Sequence, residues 1–136
     1  MDGFLIALCP VVAGVRTFKE LGAWKLALAL RRQLRPLCRR LEAAKDFRLF
    51  EQIRDAVRSA PRNVAEGFGR YKHRDFARCV RIAKASEVEL LNHLQEAHES
   101  NYLSDQEFDA LDHSVRKAIK AANGLIRYLE STPDRE

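Results

Sequence analysis

The sequence predicts an all-α protein, an antiparallel up-down-up-down four-helix bundle formed by a single domain of 136 residues. Three observations predict it. Apolar residues recur at three- and four-residue spacing through four long segments, the mark of a helix face turned to a core. No strand-like alternation or hairpin pattern appears anywhere in the chain. Only a few residues separate consecutive segments, which forces neighbouring helices to run antiparallel.

The first segment begins at Phe18 and carries Leu21, Trp24, Ala27 and Leu28 on one stripe, continued by Leu34, Leu37 or Cys38, and Leu41. Pro36 should kink it, because proline lacks the backbone donor and crowds the preceding turn. The second segment starts at Asp46, whose carboxylate suits an N-cap. Its core positions are Phe47, Phe50, Ile53, Val57, Ala60 and Val64, with Pro61 as another break or kink. Gly67 and Gly69 supply the stop, through the left-handed conformation that glycine tolerates.

The third segment spans about Arg74 to Glu99, with Phe76, Val80, Ala83, Leu90, Leu94 and Ala97 at core spacing. The fourth opens on a capping box, Ser104 with Glu107, flanked by Leu103 and Phe108 at hydrophobic-staple positions. Phe108, Leu111, Val115, Ala118 or Ile119, Ala122, Leu125 or Ile126, and Leu129 trace its apolar face. A helix of roughly 25 residues is about 38 Å long.

The bundle domain is expected over residues 18–131, with residues 132–136 as a C-terminal tail and residues 1–17 as an extension outside the core. The apolar run Phe4–Val15 is too short to span a bilayer. It also lacks the basic residues that open a secretory signal. It reads as the product of an upstream start codon, or else as a segment packing at a subunit contact. Cys9, Cys38 and Cys79 are odd in number and widely spaced. That argues for reduced thiols in a cytoplasmic protein, with no disulfide framework and no membrane partner.

The net charge of +5 conceals its distribution. Residues 16–84 hold nineteen basic and seven acidic side chains, a net +12, whereas residues 85–136 hold five basic and eleven acidic ones, a net −6. Arg31, Arg32, Arg35, Arg39 and Arg40 crowd the first helix. Arg54, Arg58 and Arg62 follow at four-residue spacing, making one stripe if the helix continues through Pro61. Arg70, Tyr71, Lys72, His73 and Arg74 form a basic loop with an aromatic ring, which Arg78 and Arg81 extend along the third helix.

Signals for chemistry are weak. None of the four histidines is preceded by glutamate at the Glu-x-x-His spacing of a di-iron bundle. Glu89, His93 and Glu96 share a helix face, but a hydrogen-bonded edge trio explains them better than a metal site. Cys38 and Cys79 lie on apolar stripes, where free cysteine behaves as a small hydrophobe. Gly67-Phe68-Gly69 lacks the third glycine of a dinucleotide fingerprint. The expectation is therefore no enzyme, no cofactor and no metal.

More informative is Gln52 to Gly67, where polar groups interleave with core residues. Pro61 leaves a carbonyl near Val57 in need of a partner. Ser59, Asn63 and Glu66 are spaced to serve backbone groups around that kink, with Ser86 and Glu89 of the third helix as helpers.

These residues carry a resemblance. Phe18, Leu21, Trp24 and Lys25 match an opening Phe-x-x-Leu-x-x-Trp-Lys motif. Gln52-Ile53-Arg54-Asp55-Ala56 and Ser59-Ala60-Pro61-Arg62-Asn63-Val64-Ala65-Glu66-Gly67 match a central signature, and Ile82 to Leu90 a later Ile-Ala-x-Gly-Ser-x-x-Glu-Leu. Over about Phe18 to Leu129 the chain resembles the bacterial four-helix bundle proteins known from open reading frames inside intervening sequences of 23S ribosomal RNA genes. It departs from their pattern at Asp55, Ala60, Val64, Ala85 and Glu87. The last replaces a usually apolar residue, and these departures bear on how third helices meet neighbouring subunits.

The resemblance implies a homopentameric ring and no enzymatic activity. More distantly the chain is similar to the accessory variability determinant of diversity-generating retroelements, a nucleic-acid-binding bundle that works with a reverse transcriptase. Such an enzyme is an implied partner if the gene lies in a retroelement.

Two functional readings follow. In one, the chain is a non-enzymatic oligomer of the rRNA intervening-sequence type that binds RNA, DNA or single strands. Its Arg-rich face would comprise Arg54, Arg58, Arg62, Arg70, Tyr71, Lys72, Arg74, Arg78 and Arg81, since guanidinium forks match phosphate geometry. Gln52, Ser59, Pro61, Asn63, Glu66, Gly67, Ser86 and Glu89 would form the structural motif beneath that face. In the other, the chain is a protein-only scaffold whose basic helices pair with the acidic fourth helix of the same or an adjacent subunit.

Overall fold

The computed structural model describes residues 14–134. The apolar run before Gly14, with Cys9, therefore lies outside the described residues. A 3-10 turn, Phe18–Glu20, precedes α1 (Gly22–Gln33), α2 (Arg35–Ala43), α3 (Phe47–Phe68), α4 (His73–Glu99) and α5 (Asp105–Ser131). α1 and α2 together form the first arm of a four-helix bundle. No strand occurs among the described residues. α3 packs along α4 and α4 along α5, while α1 rests on α3 and α5 and so closes the square. None of these helices is long and apolar enough to cross a membrane.

The caps behave as their side chains dictate. Asp46 Oδ1 accepts the Leu49 amide at 3.4 Å. Ser104 Oγ accepts the Glu107 amide at 3.1 Å, and Glu107 Oε1 accepts the Ser104 amide at 2.9 Å. Leu103 and Phe108 join the same apolar cluster beside that box.

The first arm divides at Leu34, and Pro36 stands in the opening turn of α2, where its missing amide costs nothing. Pro61, expected to break or kink its helix, does not break it. α3 runs unbroken through it, and its ring is buried.

Nor do glycines end α3 by a left-handed turn. Gly69 has φ −78° and ψ −5°, and the chain leaves the helix through right-handed closure onto the Glu66 and Gly67 carbonyls. The left-handed residues sit at the other end of the bundle, Lys45 at φ 62° and Asn101 at φ 64°. Each is part of a Schellman closure: Asp46 N bonds Leu41 O and Tyr102 N bonds Ala97 O, both at 2.9 Å.

Gly67 has a different task. A Cβ there would lie 2.6 Å from Phe76 Cδ1 and 2.9 Å from Cys79 Cβ, so its bare Cα is what lets α3 approach α4.

Phase also corrects one core assignment. Leu49, four residues before Ile53, holds the buried stripe. Phe47, six residues before it, is rotated off and 54% exposed.

The core consists of two apolar clusters stacked along the bundle axis. One gathers Leu30, Leu34, Leu37, Leu41, Ile53, Leu90, Leu94 and Val115. The other gathers Leu21, Val64, Phe76, Val80, Ile126 and Leu129, nearest the α3–α4 loop. Where they meet, each arm contributes a small buried residue: Ala27, Ala60, Ala83, Ala118 and Ala122. On α4 the position between Ala83 and Leu90 belongs to Glu87, 1% exposed. The Glu87 departure thus lies inside the chain's own bundle, not on a face turned to neighbouring subunits.

Thr132 and Asp134 are tied back onto the bundle. Lys72 offers α4 no side-chain cap, and Asp134 Oδ1 accepts the His73 amide at 2.7 Å instead. The Thr132 carbonyl lies 2.9 Å from His73 Nδ1. Asp134→Ala should therefore cost about 1 kcal/mol, the usual worth of a helix N-cap. A urea midpoint equal to wild type would show that the contact carries no stability.

Candidate functional site

Two groups of basic residues stand apart once the helices are placed. In the first, the charge is spent inside the chain. Arg40 of α2 reaches the start of α5, where Nη1 and Nη2 donate to Glu107 Oε1 and Oε2 at 2.9 and 2.6 Å, and Nη1 also to the Tyr102 carbonyl at 2.9 Å. These Arg40 bonds, with the Ser104 amide next, hold the Glu107 carboxyl at about 2. Arg81 of α4 pairs with Glu130 of α5. Arg70 Nη2 donates to Glu66 Oε2 at 3.0 Å.

Arg54 also leaves the expected stripe. Its guanidinium lies 5.4 Å from the Phe50 ring centre and its Nε 3.6 Å from Asp55. It is half-buried, whereas Arg58 and Arg62 are exposed. Of the nine candidate interface residues, Arg54, Arg70 and Arg81 are thus engaged by neighbours.

In the second group, the side chains of Arg58, Arg62, Lys72, Arg74 and Arg78 make no ion pair or hydrogen bond among the described residues. All five are exposed, and all lie on the α3–α4 hairpin. Tyr71, 51% exposed, stands in the loop between them. The structure therefore places five cations and one aromatic ring on one helical hairpin.

Between α3 and α4 runs an open groove of about 590 Å³. Gln52, Asp55, Arg58, Ser59 and Arg62 line it from α3; Ser86, Glu89 and His93 line it from α4. Its floor is fixed by hydrogen bonds. Asn63 Nδ2 donates to the Ser59 carbonyl at 2.9 Å and to Ser59 Oγ at 3.1 Å. Ser86 Oγ donates to Ser59 Oγ at 2.8 Å. This network carries out part of the role expected of the polar motif around Pro61. Asn63 serves the Ser59 carbonyl, while Glu66 lies outside the network and turns to Arg70.

The groove itself was not evident from single-helix spacing. Its signal is the polar series 52, 55, 59, 62 on one helix read against 86, 89, 93 on the next. Glu96, grouped by spacing with Glu89 and His93, does not line it.

Among the described residues no three of His, Cys, Asp and Glu form a metal-binding group. Cys79 is buried. Burial, and then Glu42, push the Cys38 thiol up, away from a reactive thiolate.

The fold defines a helical-bundle protein. Residues 19–124 match the family described as 23S rRNA-intervening sequence protein, and the chain belongs to that family. No curated protein matches the chain.

Proposed function

We propose that the protein is a non-enzymatic, cytoplasmic, homo-oligomeric bundle that binds single-stranded nucleic acid through the α3–α4 hairpin. The observation that supports this most is the set of exposed cations, Arg58, Arg62, Lys72, Arg74 and Arg78, without an internal counter-charge. Arginine donates a planar fork to phosphate and keeps its charge. Tyr71 offers a stacking face beside them. The pentameric ring implied by the sequence resemblance would multiply that surface.

A second reading has its own support. Arg40–Glu107 and Arg81–Glu130 each join an arginine of an earlier helix to a glutamate of α5. The same pairing between subunits would make charge an assembly device.

Titrating single-stranded RNA at several salt concentrations separates the two. Wild type should bind with a steep salt dependence. A Lys72/Arg74/Arg78→Ala variant should bind more weakly and lose about 2 from the log–log slope, as expected for three lost contacts to a single strand. Absence of wild-type binding at low salt overturns the nucleic-acid reading. Light scattering on the same samples tests the ring, expected at five times the 15.6 kDa chain.

A further inference from the structure

We infer that the α3–α4 groove is a nucleotide pocket that reads a guanine base, an inference that rests on the nucleic-acid reading above and assigns part of that surface a specificity. The groove is not uniformly basic. Arg58 and Arg62 are unpaired donors on α3, and Glu89, on α4, is an unpaired acceptor. Asp55 adds a second carboxylate, held only by its 3.6 Å approach to its neighbour Arg54. A plain phosphate chain would suit the arginines and be repelled by the carboxylates. A ligand that satisfies both walls must carry an anionic end and a donor end.

A nucleotide has those two ends. Along α3, Asp55 and Arg62 are seven residues apart, about 10 Å at 1.5 Å per residue, with Arg58 between them. The phosphate goes to Arg58 and Arg62, and the base lies toward Asp55 and Glu89. Ionised carboxylates only accept hydrogen bonds. The base they select must therefore present donors. Guanine alone offers two adjacent donors, N1–H and N2–H, which match the two oxygens of one carboxylate. Uracil offers a single imino donor, and adenine and cytosine a single amino group.

Gln52 and His93, which both donate and accept, stand at the same end of the groove. Its volume of about 590 Å³ is in the range of small-ligand pockets, about 300–1,000 Å³. The Ser59–Ser86 bond fixes the register of the two walls, and Asn63 holds the Ser59 side chain in place, so the recognition groups are preorganised.

The test uses the full chain and labelled uridine oligomers that carry one central guanosine, adenosine, cytidine or uridine. The guanosine oligomer should bind about tenfold tighter than the uridine one, within the range of a good bidentate base contact. Glu89→Gln should abolish that preference, with a melting curve confirming that the fold is intact. Arg58/Arg62→Ala should weaken all four oligomers alike.

Calorimetry with guanosine and uridine monophosphates separates a free nucleotide from a strand, because the two ligands differ only in the base. Equal affinity for the four oligomers, with no selective heat from guanosine monophosphate, overturns the pocket and leaves the nucleic-acid reading standing. No oligomer binding, with selective heat from guanosine monophosphate, overturns the strand reading and supports the pocket for a free nucleotide. No binding of either kind overturns both.

Discussion

Raising the pH from about 5 to about 9 should weaken the wild-type bundle by ~4 kcal/mol, and Glu87→Gln should remove that loss. Glu87 is 1% exposed, and its Oε1 has no hydrogen-bond partner. Burial pushes its carboxyl from 4.5 up to about 8. Between those values the unfolded chain has released this proton and the folded chain still holds it. The unfolded state then binds fewer protons, so stability falls as pH rises, at about 1.4 kcal/mol per pH unit. Below 4.5 both states are protonated and above about 8 both are ionised, so the contribution is flat on either side.

Glutamine keeps the shape and cannot titrate. Leucine goes further, because it also replaces a polar group at the junction of two apolar clusters, and should raise stability above pH 8 by about 2–4 kcal/mol. Urea unfolding of the three proteins across this range reads both effects. Parallel curves for wild type and Glu87→Gln would show that the carboxyl does not carry the pH dependence.

Gly67→Ala should destabilise the bundle by about 1–3 kcal/mol, although alanine is the better helix former. Removing an internal glycine gains roughly 1 kcal/mol in an exposed helix. Here the added methyl meets Phe76 Cδ1 at 2.6 Å and Cys79 Cβ at 2.9 Å. The aromatic ring can shift, but the Cβ of a buried helical residue moves only with its backbone. Overpacking therefore wins, and α3 is pushed away from α4 where the hairpin is tightest. Thermal unfolding should show the drop. A variant as stable as wild type would mean that the two helices part freely at this point.

What sequence could and could not reveal follows from how many elements a feature involves. The Asp46 and Ser104 caps and the α4 stripe from Phe76 to Ala97 are local, and each was legible in its own helix. Gly67 looked like punctuation because a glycine near a helix end usually is. Its real constraint comes from Phe76 and Cys79 on another helix. Phe47 and Leu49 both fit an apolar start, and only the phase set by Ile53 decides between them.

In the candidate site, Arg58 and Arg62 were legible from their four-residue spacing. Arg54 was not separable from them, since its diversion depends on Phe50 and Asp55. The groove needs two helices in one register, and the Ser59–Ser86 bond that sets it joins residues 27 positions apart.

The closure of Asp134 onto His73 gives the molecule a front and a back for anyone handling it. A fluorophore placed at Pro133 would stand near the start of α4 and Arg74, and would report the proposed binding of RNA as a change in fluorescence. The turns at Lys45 and Asn101 lie at the opposite end, joined there by the Tyr102–Asp46 hydrogen bond. A surface linkage at Lys45 would hold the bundle upright with the α3–α4 loop facing the solution.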